Sequence, residues 1–301
     1  MKSASLALAL AVPAALASGC VVHVDTEGQI VREERRFTVS GTPDLRVSTF
    51  DGSIEVRSWD RNDVLVEIEK RGATKEAVDG LQIITTQDGP LIELAVRAPK
   101  SESFSGIGLY RSASARLVVT APRRTDLRAR SDDGSIRVEG LEGRLELRTS
   151  DGSIRARDVS GDLIMNTGDG SVTVGAAEGR LEVDTGDGSV DVSGRLDRVK
   201  LHTGDGSVVF RAEPETRMSS GWEITTGDGG VTVYLPDGFS TELDAHTGDG
   251  TVRSDLAVLS DLESAGGQRE DRRRSLRGRL GEGGHTLRIR TGDGSIRLRR
   301  S

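Results

Sequence analysis

Aspartates recur at a fixed interval in this sequence, and stacked carboxylates are a possible calcium site. They are 18 residues apart and each directly precedes a glycine: Asp133, Asp151, Asp169, Asp187 and Asp205. If the repeats stack as parallel strands, the carboxylates lie about 4.8 Å apart and repel one another, which a cation would relieve. Calcium takes about six to eight oxygen ligands, however, and one aspartate per repeat supplies few. We therefore expect these side chains to fix the turns by accepting backbone hydrogen bonds, and we predict no metal site.

Threonines and two histidines also occupy repeated positions. Most repeats have a threonine before the turn, at Thr149, Thr167, Thr185, Thr203, Thr226, Thr247 and Thr291. These threonines fall on the apolar phase, so we expect the methyl group to pack inward and the hydroxyl to bond a turn carbonyl or the next threonine. His202 and His246 share one repeat position. With one coil between them they would lie about 10 Å apart, too far for a shared metal.

Catalytic patterns are missing from the sequence. A carbohydrate-active β-helix needs outward carboxylates clustered on one face and aromatic platforms for sugar rings. Outward positions instead change from repeat to repeat, as Arg128, Glu146, Ile164, Glu182 and Lys200. The tryptophans and tyrosines are scattered, at Trp59, Tyr110, Trp222 and Tyr234. We therefore predict a protein that is not an enzyme, without catalytic or cofactor-binding residues, and keep a calcium-binding β-roll and a carbohydrate-active β-helix as remote alternatives.

Arginines crowd two C-terminal segments. One group is Arg269, Arg272, Arg273, Arg274, Arg277 and Arg279, and the other is Arg288, Arg290, Arg297, Arg299 and Arg300. They would suit contact with anionic lipid, lipopolysaccharide or an acidic polymer. Alternatively, charges on a terminal coil prevent solenoids from stacking end to end. Both interpretations stay open at this point.

Apolar and polar residues alternate on both sides of each turn, which predicts half-buried strands. In one repeat Leu181 and Val183 precede the turn, while Val190 and Val192 follow it. Each repeat is therefore a strand, a Gly-Asp-Gly turn, a second strand and a second turn. A unit of this size cannot bury its own apolar face, so neighbouring repeats must stack.

Two folds fit such a repeat. Asp-Gly turns favour hairpins and hence an antiparallel β meander. A meander of this many strands, however, would close into a barrel too wide for its side chains to fill. The strands are also about half the ~9–11 residues that a membrane barrel needs. We predict an all-β, single-domain parallel β-solenoid with coils of about 18 residues, and keep the meander as the alternative. Because aromatic residues are 3% of the chain, the core should be aliphatic.

The N-terminus is typical of an export signal. Lys2 precedes an apolar run, which ends in Ala17-Ser18-Gly19-Cys20. This ending resembles a bacterial lipobox, which makes Cys20 the predicted lipid-attachment residue. Ordinary cleavage after Ala17 is the alternative, but Cys20 is the only cysteine, and an unpaired thiol is unusual on an exported chain.

The charge and length of the chain limit the classes of partner and the number of domains that we expect. The chain has 301 residues, 30% of them charged, and a net charge of −7, which does not indicate a nucleic-acid partner. We predict a lipoprotein-type signal peptide over 1–19 and a tether or N-terminal cap over 20–44. The solenoid domain is predicted over 45–301, with a charged loop insertion at about 254–284.

Several segments in order resemble the bacterial "putative adhesin" family of β-strand-repeat envelope proteins, a family of unknown function. They are an opening repeat over 45–59, the run of Thr-Gly-Asp-Gly-Ser-Val units, and residues 231–236, 281–284 and 287–296. The resemblance covers nearly all of the chain after the signal. It implies a β-solenoid on the cell envelope and brings no catalytic residues.

These observations predict a non-enzymatic, lipid-anchored envelope protein whose rigid solenoid serves as an adhesin-like or scaffold surface. An envelope stress-sensing or regulatory docking module is the alternative. The expected partners are the membrane, through the N-terminal lipid, and an envelope protein, polysaccharide or anionic lipid. We expect export to the envelope as a membrane-anchored lipoprotein, either in the outer membrane or facing the periplasm, with a soluble secreted or periplasmic form as the alternative.

Overall fold

The fold was analysed in a computed structural model, which describes residues 21–24, 30–98, 113–260 and 271–301. Almost all of its regular structure is strand. The two short helices are α1 (Lys75–Asp79) and α2 (Asp271–Arg274). The strands are β1 (Val21–Val24), β2 (Ile30–Thr38), β3 (Asp44–Thr49), β4 (Ile54–Trp59), β5 (Asp63–Arg71), β6 (Gln82–Asp88), β7 (Leu91–Arg97), β8 (Ser114–Pro122), β9 (Asp126–Ser131), β10 (Ile136–Glu139), β11 (Glu142–Thr149), β12 (Ile154–Thr167), β13 (Val172–Thr185), β14 (Val190–Thr203), β15 (Val208–Ala212), β16 (Trp222–Thr226), β17 (Val231–Leu235), β18 (Thr241–Thr247), β19 (Val252–Ser254), β20 (Leu259–Ser260), β21 (Ser275–Leu280), β22 (Thr286–Thr291) and β23 (Ile296–Arg300).

The middle of the molecule is a parallel stack with a register of 18 residues. Leu145 in β11 lies beside Leu163 in β12, which lies beside Leu181 in β13. On the other side of the turn, Ile154 lies beside Val172. Equivalent residues of successive repeats therefore stack directly on one another. The predicted β-solenoid is confirmed and the antiparallel meander is wrong.

Two ladders run the length of the stack. The pre-turn ladder consists of strands that end before an Asp-Gly turn, together with β7, which pairs with β3 in the same register. Their order is β7, β3, β9, β11, β12, β13, β14, β16, β22 and β18. The post-turn ladder consists of strands that follow an Asp-Gly turn, together with β8, which pairs with β4 in the same register. Their order is β8, β4, β10, β12, β13, β14, β15, β17, β23 and β19. At about 4.8 Å per coil, the stack is roughly 45 Å long.

The core runs between the two ladders and is aliphatic along most of its length. Leu145, Leu163 and Val172 have no exposed surface, and their equivalents in other coils are similarly buried. Large aromatic rings enter towards the ends: Trp222 packs against Phe210 and Phe239 near one end, and Phe37 of β2 is buried at the other. The period-two alternation thus places every inward residue in one continuous apolar interior.

The coils do not stack in sequence order at the ends of the rod. The coil formed by β22 and β23 lies between the coil of β16 and β17 and the coil of β18 and β19. At the opposite end, the coil of β3 and β4 lies between that of β7 and β8 and that of β9 and β10. The interpretation that places the second arginine group, from Arg288 to Arg300, on a terminal coil is therefore wrong, because this coil is inserted one position inside the end.

Antiparallel strands close the ladders at both ends. At one end β6 pairs with β7 as a hairpin, and β5, β2 and β1 follow β8. Residues 21–24 and 30–38 of the segment predicted as a tether or cap are thus strands of the sheet. At the other end β21 pairs with β18 and β20 pairs with β21. For residues 275–280 the prediction of a loop insertion is wrong. Gly278 and the flanking arginines interrupt the apolar alternation, although Leu276 and Leu280 still pack against the core.

Candidate interaction surface

Threonine hydroxyls, not aspartates, hold the turns together. Thr203 donates a hydrogen bond to the Gly188 carbonyl of the preceding coil (2.9 Å) and accepts one from the Gly206 amide of its own turn (3.2 Å). Thr167 makes the same two bonds with Gly152 and Gly170. The inward position of threonine and its bond to a turn carbonyl are confirmed. The expected hydrogen bonds to the aspartates are wrong, because the turn amides donate instead to threonine hydroxyls and to backbone carbonyls of the preceding coil.

The turns approach one another so closely that only glycine fits. A Cβ on Gly188 would lie 2.0 Å from the Gly170 carbonyl oxygen, and one on Gly170 would lie 2.0 Å from that of Gly152. The same contact joins Gly294 to Gly229 and Gly250 to Gly294, which follows the inserted order of the coils. The second glycine of these turns is therefore required by backbone packing and not by an unusual φ angle; Gly52, with a φ of 121°, is required on both grounds.

The aspartates form a column of carboxylates along one edge of the rod, which we call the turn edge. In stack order it comprises Asp51, Asp133, Asp151, Asp169, Asp187, Asp205, Asp228, Asp293 and Asp249. Partial burial and the neighbouring charge of Asp133 raise the pKa of Asp51. Only Asp249 has an ion-pair partner within the described residues, Arg274 at 3.5 Å. No group of three or more metal-binding side chains could hold an ion in the described part of the chain.

The two histidines are farther apart than sequence order implies. Along the pre-turn ladder, His202 lies beside Thr225, Thr225 beside Arg290, and Arg290 beside His246. The inserted coil therefore adds a strand between them, and three strand spacings amount to about 14 Å. His246 Nδ1 instead contacts the Ser275 hydroxyl at 2.8 Å. The predicted separation of about 10 Å was too short, and the conclusion that they share no metal site is unchanged.

The outward side of the pre-turn ladder, the pre-turn face, pairs its charges between neighbouring coils. Lys200 contacts Glu182 at 2.7 Å, and Arg128 contacts Glu146 at 3.5 Å. Near one end, the carboxylate of Asp244 contacts Arg277 at 3.0 Å and also pairs with Arg290. Partial burial raises the pKa of Asp244, but its hydrogen bonds to Arg290 and Arg277 outweigh this and hold the pKa below its usual value.

The outward side of the post-turn ladder, the post-turn face, carries exposed arginines without partners. Arg155 and Arg157 lie on β12, and Arg137 lies beside Arg155 on β10. Toward the other end of the same face are Arg253, Arg297 and Arg299. The side chains of these six make no hydrogen bond or salt bridge to a residue that the structure describes, although Arg137 lies beside Glu55 and Arg157 beside Glu139 on neighbouring strands.

A shallow depression lies beside the first group of arginines. It is lined by Arg137, Val138, Glu139, Arg155, Ala156, Arg157, Thr173 and Gly175. Its floor is low because Gly175 has no side chain and Thr173 has a small one. A Cβ on Gly175 would approach only the Ser193 hydroxyl, at 4.0 Å, so the space above this glycine is open. We call Arg137, Arg155, Arg157, Thr173 and Gly175 the arginine patch.

A family model for "Toastrack DUF4097" matches residues 43–299, which include both ladders and both inserted coils. The chain belongs to the Toastrack family. The resemblance identified from the sequence is thereby confirmed, and the family's function is unknown.

Solved structures of bacterial proteins are similar in shape to this Toastrack chain. One is a putative lipid binding protein from Parabacteroides distasonis (14% identity, TM-score 0.47, covering 89% of this chain and 96% of the other). Another is a putative adhesin from Parabacteroides merdae (12% identity, TM-score 0.46, covering 92% and 99%). A third is a putative adhesin from Bacteroides fragilis (11% identity, TM-score 0.43, covering 89% and 96%). A search of curated proteins finds no match.

The structure separates the predicted C-terminal arginines of the Toastrack chain between two faces. Arg277, Arg288 and Arg290 surround Asp244 on the pre-turn face. Arg297 and Arg299 project from the post-turn face, while Arg300 contacts Asp237 at 2.9 Å. The interpretation that these arginines protect a free end of the rod is thus wrong, because the coil of β22 and β23 has neighbouring coils on both sides. Arg269 lies outside the described residues, as do Cys20 and residues 1–19.

Sequence reasoning did not single out Arg137, Arg155 and Arg157. The outward positions it compared were those of pre-turn strands, where charge changes from coil to coil. The same comparison along the post-turn strands would have found Arg155 and Arg157 on either side of the inward Ala156. No described helix has the length and apolarity needed to cross a membrane.

Proposed function

We propose that this chain is a non-enzymatic, lipid-anchored cell-envelope protein that presents a rigid β-solenoid as an adhesin-like or scaffold interaction surface. The observation that carries the proposal is the contrast between the interior and the surface of one continuous stack. Every coil contributes to a single apolar core, whereas the faces differ in charge and in pairing. Such a body is stiff and suits the display of a binding surface.

The N-terminal sequence supports anchoring through Cys20. The apolar run and Ala17-Ser18-Gly19 before this cysteine are typical of a lipoprotein signal. Strand β1 starts at Val21 and pairs with β2, at one end of the post-turn ladder. A lipid on Cys20 would therefore be attached directly at the β1 end of the stack. That end would lie near the membrane, while the faces of the other coils remain available to partners.

Intact-mass spectrometry of protein isolated from its own membranes tests the anchor. We expect a chain that begins at Cys20 and carries added acyl mass. The Cys20→Ala variant should lose both the acyl mass and membrane association. Ser18→Ala, which keeps the cysteine, is the matched control and should remain acylated. An unmodified chain that begins at Ser18 and is recovered in the soluble fraction would show that the protein is not a lipoprotein.

A further inference from the structure

We propose that the arginine patch on the post-turn face binds a linear acidic polysaccharide through the carboxylates of its sugar residues. This inference deepens the proposed function by naming a ligand class, and it rests on that function in treating the rod as a binding surface. It requires no lipid on Cys20, so the two proposals can fail separately.

The first argument is the unused hydrogen-bonding capacity of the patch. Each guanidinium offers a planar fork of donors that matches a carboxylate in a bidentate manner. On the pre-turn face such forks are occupied by carboxylates of the protein. On the patch the guanidinium groups of Arg137, Arg155 and Arg157 are exposed and form no salt bridge within the described residues. Arg137 lies beside Glu55 and Arg157 beside Glu139 on neighbouring strands, whereas Arg155 lies between Arg137 and Thr173, so positive charge remains in excess and a bound anion would neutralise it.

The second argument is the spacing of these arginines. Arg155 and Arg157 project from the same side of one strand, about 6.6 Å apart along it. Arg137 projects from the neighbouring coil, about 4.8 Å from Arg155 at the backbone. Long side chains on this grid can reach anions at several points of an extended chain. A polymer with one carboxylate on each sugar ring supplies such a series.

The third argument is the open surface beside the arginines. Gly175 and Thr173 form a low floor where a sugar ring can approach the backbone of the sheet. The nearest atom to a Cβ placed on Gly175 is 4.0 Å away, whereas most turn glycines of the stack leave no such room. The lining residues come from β10, β12 and β13 of three successive coils, which suits a chain that lies across several coils.

The fourth argument distinguishes a polymer from a small anion. The second unpaired group, Arg297 and Arg299 with Arg253, lies on the same face. Strands β13, β14, β15 and β17 separate β12 from β23, so the two groups are about 24 Å apart. Between them, Tyr234 presents a ring near the Arg211 guanidinium, 5.3 Å from the ring centre. Only an extended ligand can engage both groups at once, and such bivalence raises affinity.

Other polyanions fit this face less well. A bilayer-binding surface normally carries apolar anchors. The large hydrophobic side chains exposed in the described residues are Ile84 and Leu259, which lie on β6 and β20 at the ends of the pre-turn ladder. Duplex nucleic acid carries about one phosphate charge per 1.7 Å, so the acidic turn edge and the net charge of −7 repel it more strongly than a polymer with one carboxylate on each sugar ring.

Binding of the purified full chain to polygalacturonate, measured by titration calorimetry, tests the inference. The double variant Arg155→Ser, Arg157→Ser should weaken binding at least about tenfold. The matched control is Arg128→Ser, Arg148→Ser on the pre-turn face, which removes the same charge and should change affinity by less than about twofold. Gly175→Glu should abolish binding while thermal unfolding stays close to that of the parent, since its side chain has room.

Ligand length and ligand class provide the remaining comparisons. Short oligogalacturonates should bind at least about tenfold more weakly than the polymer. Arg297→Ser, Arg299→Ser should weaken only binding of the polymer. Neutral dextran, DNA duplex and vesicles containing anionic lipid serve as competing probes. The inference is overturned if the two double variants behave alike, or if vesicles or DNA bind through the patch and polygalacturonate does not. The acyl mass on Cys20 is unaffected by either result.

Discussion

The middle of the rod and its two ends are built from the same repeat but assembled by different rules. From β9 to β16 each coil stacks on the one that precedes it in sequence. At each end, one coil is inserted between two others, and antiparallel strands then close the ladders. A repeat unit therefore specifies the shape of a coil and its contacts with any neighbour. Which neighbour it takes is decided by connections outside the repeat.

The comparison also separates two sources of stability. A coil in the middle has identical neighbours on both sides, so its turn glycine and threonine are held from above and below. An outermost coil is held on one side: Thr247 keeps its bond to the Gly294 carbonyl, and ion pairs such as Arg277 with Asp244 join the coil to the capping strand. Substitutions of the same type should therefore lower the free energy of unfolding more in the middle of the rod than at its ends.

The largest expected effect is an all-or-none test of coil order. In a Cys20→Ser background, Glu223→Cys with Arg288→Cys should form a disulfide on mild oxidation, because these positions are neighbours in β16 and β22. Their Cα atoms should lie about 4.8 Å apart, within disulfide range. Reducing and non-reducing gel mobility, with peptide mapping, measures the cross-link.

The matched control is Glu223→Cys with Asp244→Cys. These positions would be neighbours if the coils followed sequence order, but β22 separates them by about 9.6 Å, beyond disulfide reach. Efficient cross-linking of this pair, and not of the first, would disprove the inserted coil. At the other end, Ser48→Cys with Arg130→Cys should cross-link, whereas Ala95→Cys with Arg130→Cys should not.

The second effect concerns the close approach of turns. Gly170→Ala should lower the free energy of unfolding by about 3 kcal/mol, because its Cβ would lie 2.0 Å from a carbonyl oxygen in a coil held on both sides. Gly250→Ala in the outermost coil should cost about 1 kcal/mol, since that coil can move outward. Gly175→Ala is the control and should be close to neutral. Urea unfolding measures all three, and equal losses at positions 170 and 250 would contradict the comparison.

The sequence predicted the coil more completely than the stack. The alternation around Leu181 and Val190, and the inward threonines, are local patterns that follow from the pleat of a strand. The insertion of the coil of β22 and β23 was missed because its Leu287 and Ile296 occupy the same pattern as in every other coil. Nothing in such a pattern distinguishes one neighbour from another. The position of this coil follows from the antiparallel pairing of β21 with β18, which brings the chain back to the end of the stack. Strand β21 was itself missed because Gly278 interrupts its alternation of apolar and polar residues.

The candidate site was harder to predict for a related reason. Outward positions are not constrained by packing, so they carry no period that would distinguish a binding residue from a solvated one. Arg155 and Arg157 could be recognised as candidate binding residues only when their neighbours on adjacent coils were known. The sequence alone does not show whether an outward arginine lies opposite a glutamate or, as Arg155 does, opposite Thr173. The turn hydrogen bonds were assigned to the aspartates, and not to the threonines, because both side chains can accept a hydrogen bond from a nearby amide. The direction of the side chain decides between them.

The third effect tests the threonine hydroxyls. Thr203→Val removes a donor to Gly188 and an acceptor for Gly206, both buried, and should cost about 2 kcal/mol. Thr49→Val, near the opposite end, loses a single bond to the Asp51 carbonyl and should cost about 1 kcal/mol. Thr203→Ser keeps the hydroxyl and serves as the control for the lost bond. Urea midpoints measure the differences, and a Thr203→Val loss no larger than that of Thr49→Val would show that the hydroxyl contributes little in the middle.

The smallest expected effect on stability comes from the ion pairs of Asp244, near the β18 end of the rod. Arg290 and Arg277 hold the folded-state pKa of Asp244 below its usual value of 3.8, so the folded state favours the ionised carboxylate. The stabilisation is therefore fully present above about pH 4 and is lost as the pH falls through the lower, folded-state pKa. Asp244→Asn should cost about 1 kcal/mol at pH 7, because the carboxylate is mostly shielded but its partners are exposed. Below about pH 3 the variant and the parent should converge. Denaturation curves over pH 2–7 measure this, and a constant difference across that range would mean that Asp244 acts through packing and not through its charge.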